Sequence, residues 1–182
     1  MGDRTWVVIG NGVTAMKAPK QAPSRILCGV HRAWKLGPLD AWLSTDAEPF
    51  WEGLGRVQAG EVYVHRSLLT EEQVPHLPRY AVAFQKSRSG SLFHEEDMHG
   101  APGFLLSGWS SVIPALHLGL IRGFRRFELY GVDLKGGRFD GSGGSISTPW
   151  ATTVASILGS FAKLPGVECV NRSDSEIPGW TA

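Results

Sequence analysis

The run Thr5-Trp6-Val7-Val8-Ile9 passes directly into Gly10-Asn11-Gly12. Consecutive β-prone residues without polar alternation suit a strand covered on both faces, and such strands belong to parallel sheets flanked by helices. The same pattern recurs along the chain. Arg25 to Val30, Ala41 to Ser44, Val62 to Val64, Tyr80 to Phe84, Phe127 to Tyr130 and Val167 to Val170 are short apolar runs that read as strands. Two helices stand out among them. One runs from about Ser110 to Ile121 and carries Pro114 in its first turn, where a missing N–H does no harm. The other opens at Thr148-Pro149, a hydroxyl cap followed by proline. Trp150, Val154, Ile157, Leu158, Phe161 and Leu164 share one face of it until Pro165-Gly166. Alternating strands and helices predict a three-layer α/β sandwich with a mostly parallel central sheet, in which Thr5 to Ile9 and Phe127 to Tyr130 are neighbouring central strands.

Composition narrows the class. The 182 residues are 42% apolar and 19% charged, which excludes a disordered, charge-driven chain. One domain spanning residues 1–182 is expected. Eighteen basic and seventeen acidic residues leave a net charge of +1, so wholesale binding of nucleic acid is not expected. The two cysteines, Cys28 and Cys169, sit in apolar runs outside any CxxC pair and read as buried reduced thiols, as in a cytoplasmic protein. The uncharged stretch Met98 to Ile121 contains two prolines and four glycines and is a poor membrane span. No signal segment is read at the N-terminus.

Several motifs invite chemistry. Gly10-Asn11-Gly12-Val13-Thr14-Ala15 has the spacing of a dinucleotide turn behind a strand, where glycines let bare amides approach a phosphate. Pro19 breaks the helix behind it, and His31 and Arg32 stand where a ribose-binding acid is needed, so a nicotinamide dinucleotide fits less well than another phosphate; a purely structural turn is the other reading. Ser107-Gly108-Trp109-Ser110-Ser111 opens a helix with small hydroxyl residues, a start that offers N–H and O–H donors to an anion. Asp133 closes the Phe127 to Tyr130 strand, and an acid there reaches the crevice in which open α/β sheets bind ligands. It is expected to serve chemistry rather than the fold. The glycine-rich stretch from Lys135 to Ser147 reads as a mobile loop able to bring Arg138 onto a phosphate, or else as a plain connection. His94-Glu95-Glu96-Asp97-Met98-His99 lies in an expected loop from Lys86 to Gly103 and lacks the spacing of a zinc helix; a charged loop or a lid are its other readings. Arg122, Arg125 and Arg126 gather at a helix end, which suits the dipole.

Taken in order, four segments resemble the superfamily of bacterial sialyltransferases and MptE-like 6-hydroxymethylpterin diphosphokinases. They are Gly10-Asn11-Gly12-Val13-Thr14 after its strand, Gly29 to Ala33 with Leu39 to Asp46, Ser107-Gly108 through Gly119 to Tyr130-Gly131-Val132-Asp133, and Gly166 to Ser175 with Asn171 in its turn. The resemblance implies a Rossmann-like nucleotide-binding domain, compact and of bacterial or phage type. Its donor would be a cytidine nucleotide-sugar in the first branch, or ATP with magnesium in the second. Carried onto matching positions, Asn11, Gly12, Ser107, Gly108 and Asn171 would line the nucleotide, while Asp46 and Asp133 would face the reaction; the reading of the turn, the helix start and the glycine-rich loop adds Gly10, Thr14, Ser110 and Arg138 as binding candidates. Three departures stand out: Val13-Thr14 replaces the usual Pro-Ser, His31 replaces an Asn, and no histidine follows His117 to serve as the sialyltransferases' base.

The resulting expectation is a nucleotide-dependent, glycosyltransferase-like enzyme acting on a small-molecule donor and an unidentified acceptor, with self-association open. The alternatives are a magnesium- and ATP-dependent pyrophosphokinase and a non-catalytic nucleotide binder.

Overall fold

The computed structural model describes residues 4–71, 73, 77, 81–89, 92–136, 138, 140–141 and 146–182, the side chains of 87–89 excepted. Eight strands form one sheet: β1 (Thr5–Ile9), β2 (Arg25–Val30), β3 (Leu39–Ser44), β4 (Ala59–His65), β5 (Ala81–Ser89), β6 (Phe104–Ser107), β7 (Arg126–Tyr130) and β8 (Glu168–Asn171). Their order is β6-β5-β4-β3-β2-β1-β7-β8, and every pair is parallel. This is the expected three-layer Rossmann-like α/β architecture, with β1 and β7 side by side from Thr5 opposite Arg126 to Ile9 opposite Tyr130.

The apolar runs form strands because both faces are covered. Trp6 and Val8 point into one layer with α2 (Val112–Ile121) and α3 (Thr148–Phe161). Val7 and Ile9 point into the other, with α1 (Ala47–Gly53) and the short 3-10 turns Val13–Lys17 and His31–Leu36. Helix α2 sits close to the sheet at Gly119, where a Cβ would meet the Trp6 ring at 2.7 Å, and the Trp6 indole donates to the Ala115 carbonyl at 3.0 Å. The α3 face is core as expected: Val154, Ile157, Leu158 and Phe161 are buried, and Leu164 follows beyond the helix end.

The differences from the sequence reading are local. Ser147, not Thr148, is the N-cap of α3, which puts Pro149 one position deeper. Helix α1 escapes a periodicity search because its seven residues include Pro49 and too few apolar positions to mark a face. Strand β6 escapes because it is four residues long and lies at the sheet edge, where Phe104 stays exposed. β5 extends to Ser89, into the stretch read as loop. Tyr80, the expected start of that strand, lies outside the described residues, as do 137, 139 and 142–145 of the glycine-rich loop. No described helix is long and apolar enough to cross a membrane.

The connectivity positions the site. From β1 to β6 each strand is laid outward beside the last, and then β7 returns to the other side of β1. The order reverses between β1 and β7, so loops from the two arms diverge there and leave a crevice at the carboxyl ends of the strands.

Candidate functional site

A cavity of about 630 Å³ occupies that crevice. Its walls come from the segments following β1, β2, β3, β4, β6 and β7, with Lys86 of β5 and Trp150 of α3.

The wall made by β1 and β7 is stitched to itself. The Gly10 and Gly12 amides donate to the carbonyls of Tyr130 and Gly131, each at 2.7 Å. The Thr14 amide donates to one Asp133 oxygen at 2.8 Å, and the Thr14 hydroxyl donates to the other at 2.6 Å. That hydroxyl also accepts from the Gly131 amide at 3.0 Å, and Asp133 accepts from the Asp174 amide at 3.2 Å. Gly12 has an ordinary φ of −67°. It is glycine because a Cβ would overlap the Asp133 carboxylate, just as one on Gly10 would overlap the Gly131 carbonyl. One buried polar atom here has no partner among the described residues: the Asn11 side-chain oxygen, on a residue that lines the cavity.

The opposite wall is different. His31 follows β2 with φ +48°, and the Trp42 indole holds its carbonyl at 2.6 Å. Its Nε2 is in hydrogen-bonding contact with the Ser111 hydroxyl and lies 3.2 Å from the Thr45 hydroxyl and 3.5 Å from an Asp46 carboxylate oxygen. The Thr45 and Ser111 hydroxyls also contact each other. Burial pushes the His31 imidazole down to about 4; Asp46 opposes the shift, and Arg138 and Arg32 add to it. The ring is therefore neutral near pH 7 and able to accept a proton. Asp46, its carboxylate largely open to solvent, is the counter-charge beside it.

Around this group the cavity carries both signs of charge, with Asp46 and Asp133 as its acids. Lys86 and Arg138 line the cavity, and so does His65, which burial, followed by Lys86, holds below its ordinary range. The start of α2 adds the amides of Trp109 and Ser111, which have no acceptor among the described residues. The loop bearing Arg138 is tethered by Asp140, which stands 3.8 Å from both Arg32 and Lys35, and those two also pair with Glu52 at 2.6 Å.

Comparison with known proteins agrees with this architecture. No family model matches the chain, and no curated protein does. Among solved structures, the MAf glycosyltransferase from Magnetospirillum magneticum AMB-1 superposes on all of this chain with a TM-score of 0.61 at 16% identity. The shared feature is the fold. The chain spans 34% of that protein's length.

The expected site residues divide accordingly. Gly10, Asn11, Gly12, Asp46, Ser107, Gly108, Ser110, Asp133 and Arg138 all line the cavity. Thr14 does not: it is buried behind the wall as the link between β1 and β7. Asn171 lies outside as well; its side-chain nitrogen donates to the Ser175 carbonyl and its Oδ1 accepts from the Ser173 amide, both within its own turn. Asp133 was expected to stand clear of the fold, but its carboxylate joins two loops. His31, Thr45 and Ser111 were missed as a group. In the sequence His31 stands out at the end of the second strand, where a ribose-binding acid is wanted, and as a departure from the Asn of the resembled family, but nothing in the spacing links it to Ser111.

The remaining motifs make local bonds outside the cavity. His94 caps the turn Glu95–Met98, its amide donating to Asp97 at 2.7 Å. Among the described residues no cluster of three or more His, Cys, Asp or Glu could hold a metal. Arg125 donates to the Leu120 and Phe124 carbonyls at the end of α2. Cys28 and Cys169 are buried, and burial pushes both thiols up to about 12.

Proposed function

We propose that this chain is a nucleotide-dependent, glycosyltransferase-like enzyme in which His31 accepts the proton of the acceptor hydroxyl. The observation that carries the reading is a neutral imidazole, flanked by the Ser111 and Thr45 hydroxyls and the Asp46 carboxylate, at a cavity that Lys86 and Arg138 also line at the sheet's reversal point. The donor would place its phosphate at the start of α2, within reach of Arg138. There the amides, the helix dipole and the guanidinium stabilise the negative charge that grows on the leaving oxygen. The acceptor oxygen attacks the anomeric carbon, and the bond from that carbon to the phosphate oxygen breaks, its electron pair leaving with the nucleotide. The acceptor proton passes to His31 Nε2, directly or through the adjoining hydroxyls, and Asp46 stabilises the imidazolium.

A cytidine nucleotide-sugar is the first candidate donor. The magnesium- and ATP-dependent alternative is less well supported by the donor set. Asp133 has its oxygens bonded to Thr14 and Asp174, which leaves Asp46 as the open carboxylate of the cavity.

The test is calorimetry and thermal shift with CMP, CTP, UDP, ATP and NAD, with and without magnesium, followed by an assay of nucleotide release from the matching nucleotide-sugar. Binding of CMP without magnesium and turnover abolished by His31→Asn are expected. Failure of every nucleotide to bind would sink the reading.

A further inference from the structure

Trp109 is held in an unfavourable conformation and left in the open. It lies between β6 and α2 with φ +59°, directly after Gly108 at φ +131°. The left-handed region is costly for a bulky side chain and persists only where the surroundings enforce it. Two hydrogen bonds enforce it here. The Ser110 amide closes the turn onto the Gly108 carbonyl at 2.6 Å, and the Trp150 indole donates to the Trp109 carbonyl at 2.7 Å. The strain brings no burial in return, since Trp109 is 53% exposed. Other large apolar side chains are exposed too, Met16, Trp51 and Phe104 among them, but none of these lines the cavity.

Its surroundings suit a flat ring. Trp109 and Trp150, joined by the indole-to-carbonyl bond, and Ile146 are apolar residues of the cavity lining, whereas His65 and Lys86 line it from the β4 and β5 side. Trp109 immediately precedes the Ser110-Ser111 start of α2, where the phosphate is placed above, so a ring attached to that phosphate through a ribose comes within reach of the indole.

We propose that Trp109 is the stacking wall for the donor's nucleobase, an inference that rests on the nucleotide reading given above. The indole offers its π-face to the base, and the strained turn keeps that face turned outward when the site is empty. Such stacking tolerates any base, so Trp109 supplies affinity for a nucleobase, and the choice among bases falls to other contacts.

The test uses the full chain with CMP and ribose 5-phosphate as probes, both followed by NMR titration, which reads affinities into the millimolar range. Trp109→Ala keeps the Cβ and the turn, and should weaken CMP about 5- to 100-fold while changing ribose 5-phosphate by less than about two-fold. Trp109→Phe should retain most of the CMP affinity. Trp109→Gly guards against a folding artefact: relief of the positive φ should raise the melting temperature while CMP affinity still falls. CMP binding to wild type that survives Trp109→Ala unchanged would overturn the stacking wall and leave the nucleotide reading standing. Equal loss of both probes would show that Trp109 only shapes the turn. Absence of CMP binding to the wild-type chain would remove the nucleotide reading and the stacking wall together.

Discussion

The two walls of the cavity differ in the carboxylate each presents: Asp133 is bonded into the fold, and Asp46 is open. At the β1–β7 wall, the Gly10 and Gly12 amides, the Thr14 hydroxyl and the Asp133 carboxylate bond to one another across the reversal of strand order. At the wall built by the segments after β2, β3 and β6, His31, Thr45 and Ser111 also contact one another, but the Asp46 carboxylate beside them stays open to the cavity. The first arrangement holds two diverging loops together, and the second sets an imidazole beside an open carboxylate at the cavity. A glycine motif with the spacing of a phosphate-binding turn is here bonded largely to the loop after β7, and the grouping of His31 with Thr45 and Ser111 has no counterpart in sequence spacing.

Substitutions can break this contrast. The largest expected effect is catalytic. His31→Asn suits φ +48°, because Asn tolerates the left-handed region, so the melting temperature should move little. Nucleotide release from the donor should fall by about 10²- to 10⁴-fold with the proton acceptor gone. Full turnover in a folded variant would return the chemistry to the β1–β7 wall.

Gly12→Val should act on the fold. Its side chain overlaps the Asp133 carboxylate and forces apart the bonds to Thr14, an expected loss of about 3–5 kcal/mol in chemical denaturation. If the variant kept wild-type stability and lost only nucleotide binding, Gly12 would be a ligand contact and the contrast between the walls would disappear.

The pH dependence of stability reports on the second wall. An unfolded histidine titrates near ~6.5, and His31 in the fold is held at about 4. Between these values the folded state binds fewer protons, so stability is complete above the unfolded pKa and falls as pH drops from ~6.5 through 4, by about 3 kcal/mol in all. His65, shifted in the same direction, leaves a residual slope. Urea titrations from pH 7 to pH 4 should show most of the slope removed by His31→Asn; an identical slope in that variant would contradict the burial of a neutral ring.

The smallest effect concerns Asp133→Asn. One amide group cannot accept from the Thr14 amide, the Thr14 hydroxyl and the Asp174 amide as the carboxylate does, so stability should drop by about 1.5–3 kcal/mol. A variant as stable as wild type but inactive would restore Asp133 to the reaction and make the Thr14 bonds incidental.

Much of the architecture was legible in the chain itself. Runs such as Thr5–Ile9 and Arg25–Val30 carry no polar alternation, and burial on both faces of a parallel sheet is the physical use for such a run. The α3 face was readable for the same kind of reason, its apolar residues falling at helical spacing. Short elements with weak local signals were not: β6 is an edge strand of four residues, and α1 holds a proline.

At the site, sequence determined which residues flank the strand ends and therefore reach the crevice, among them Gly12, Asp46, Ser107 and Asp133. Tertiary structure decided what each of them does there. Thr14 and Asp133 are 119 positions apart, and His31 and Ser111 are 80 apart. Whether a hydroxyl or carboxylate is used up by the fold or left to a ligand depends on which partner the sheet order brings beside it, and a hydrogen bond between distant strand ends leaves no periodicity in the sequence.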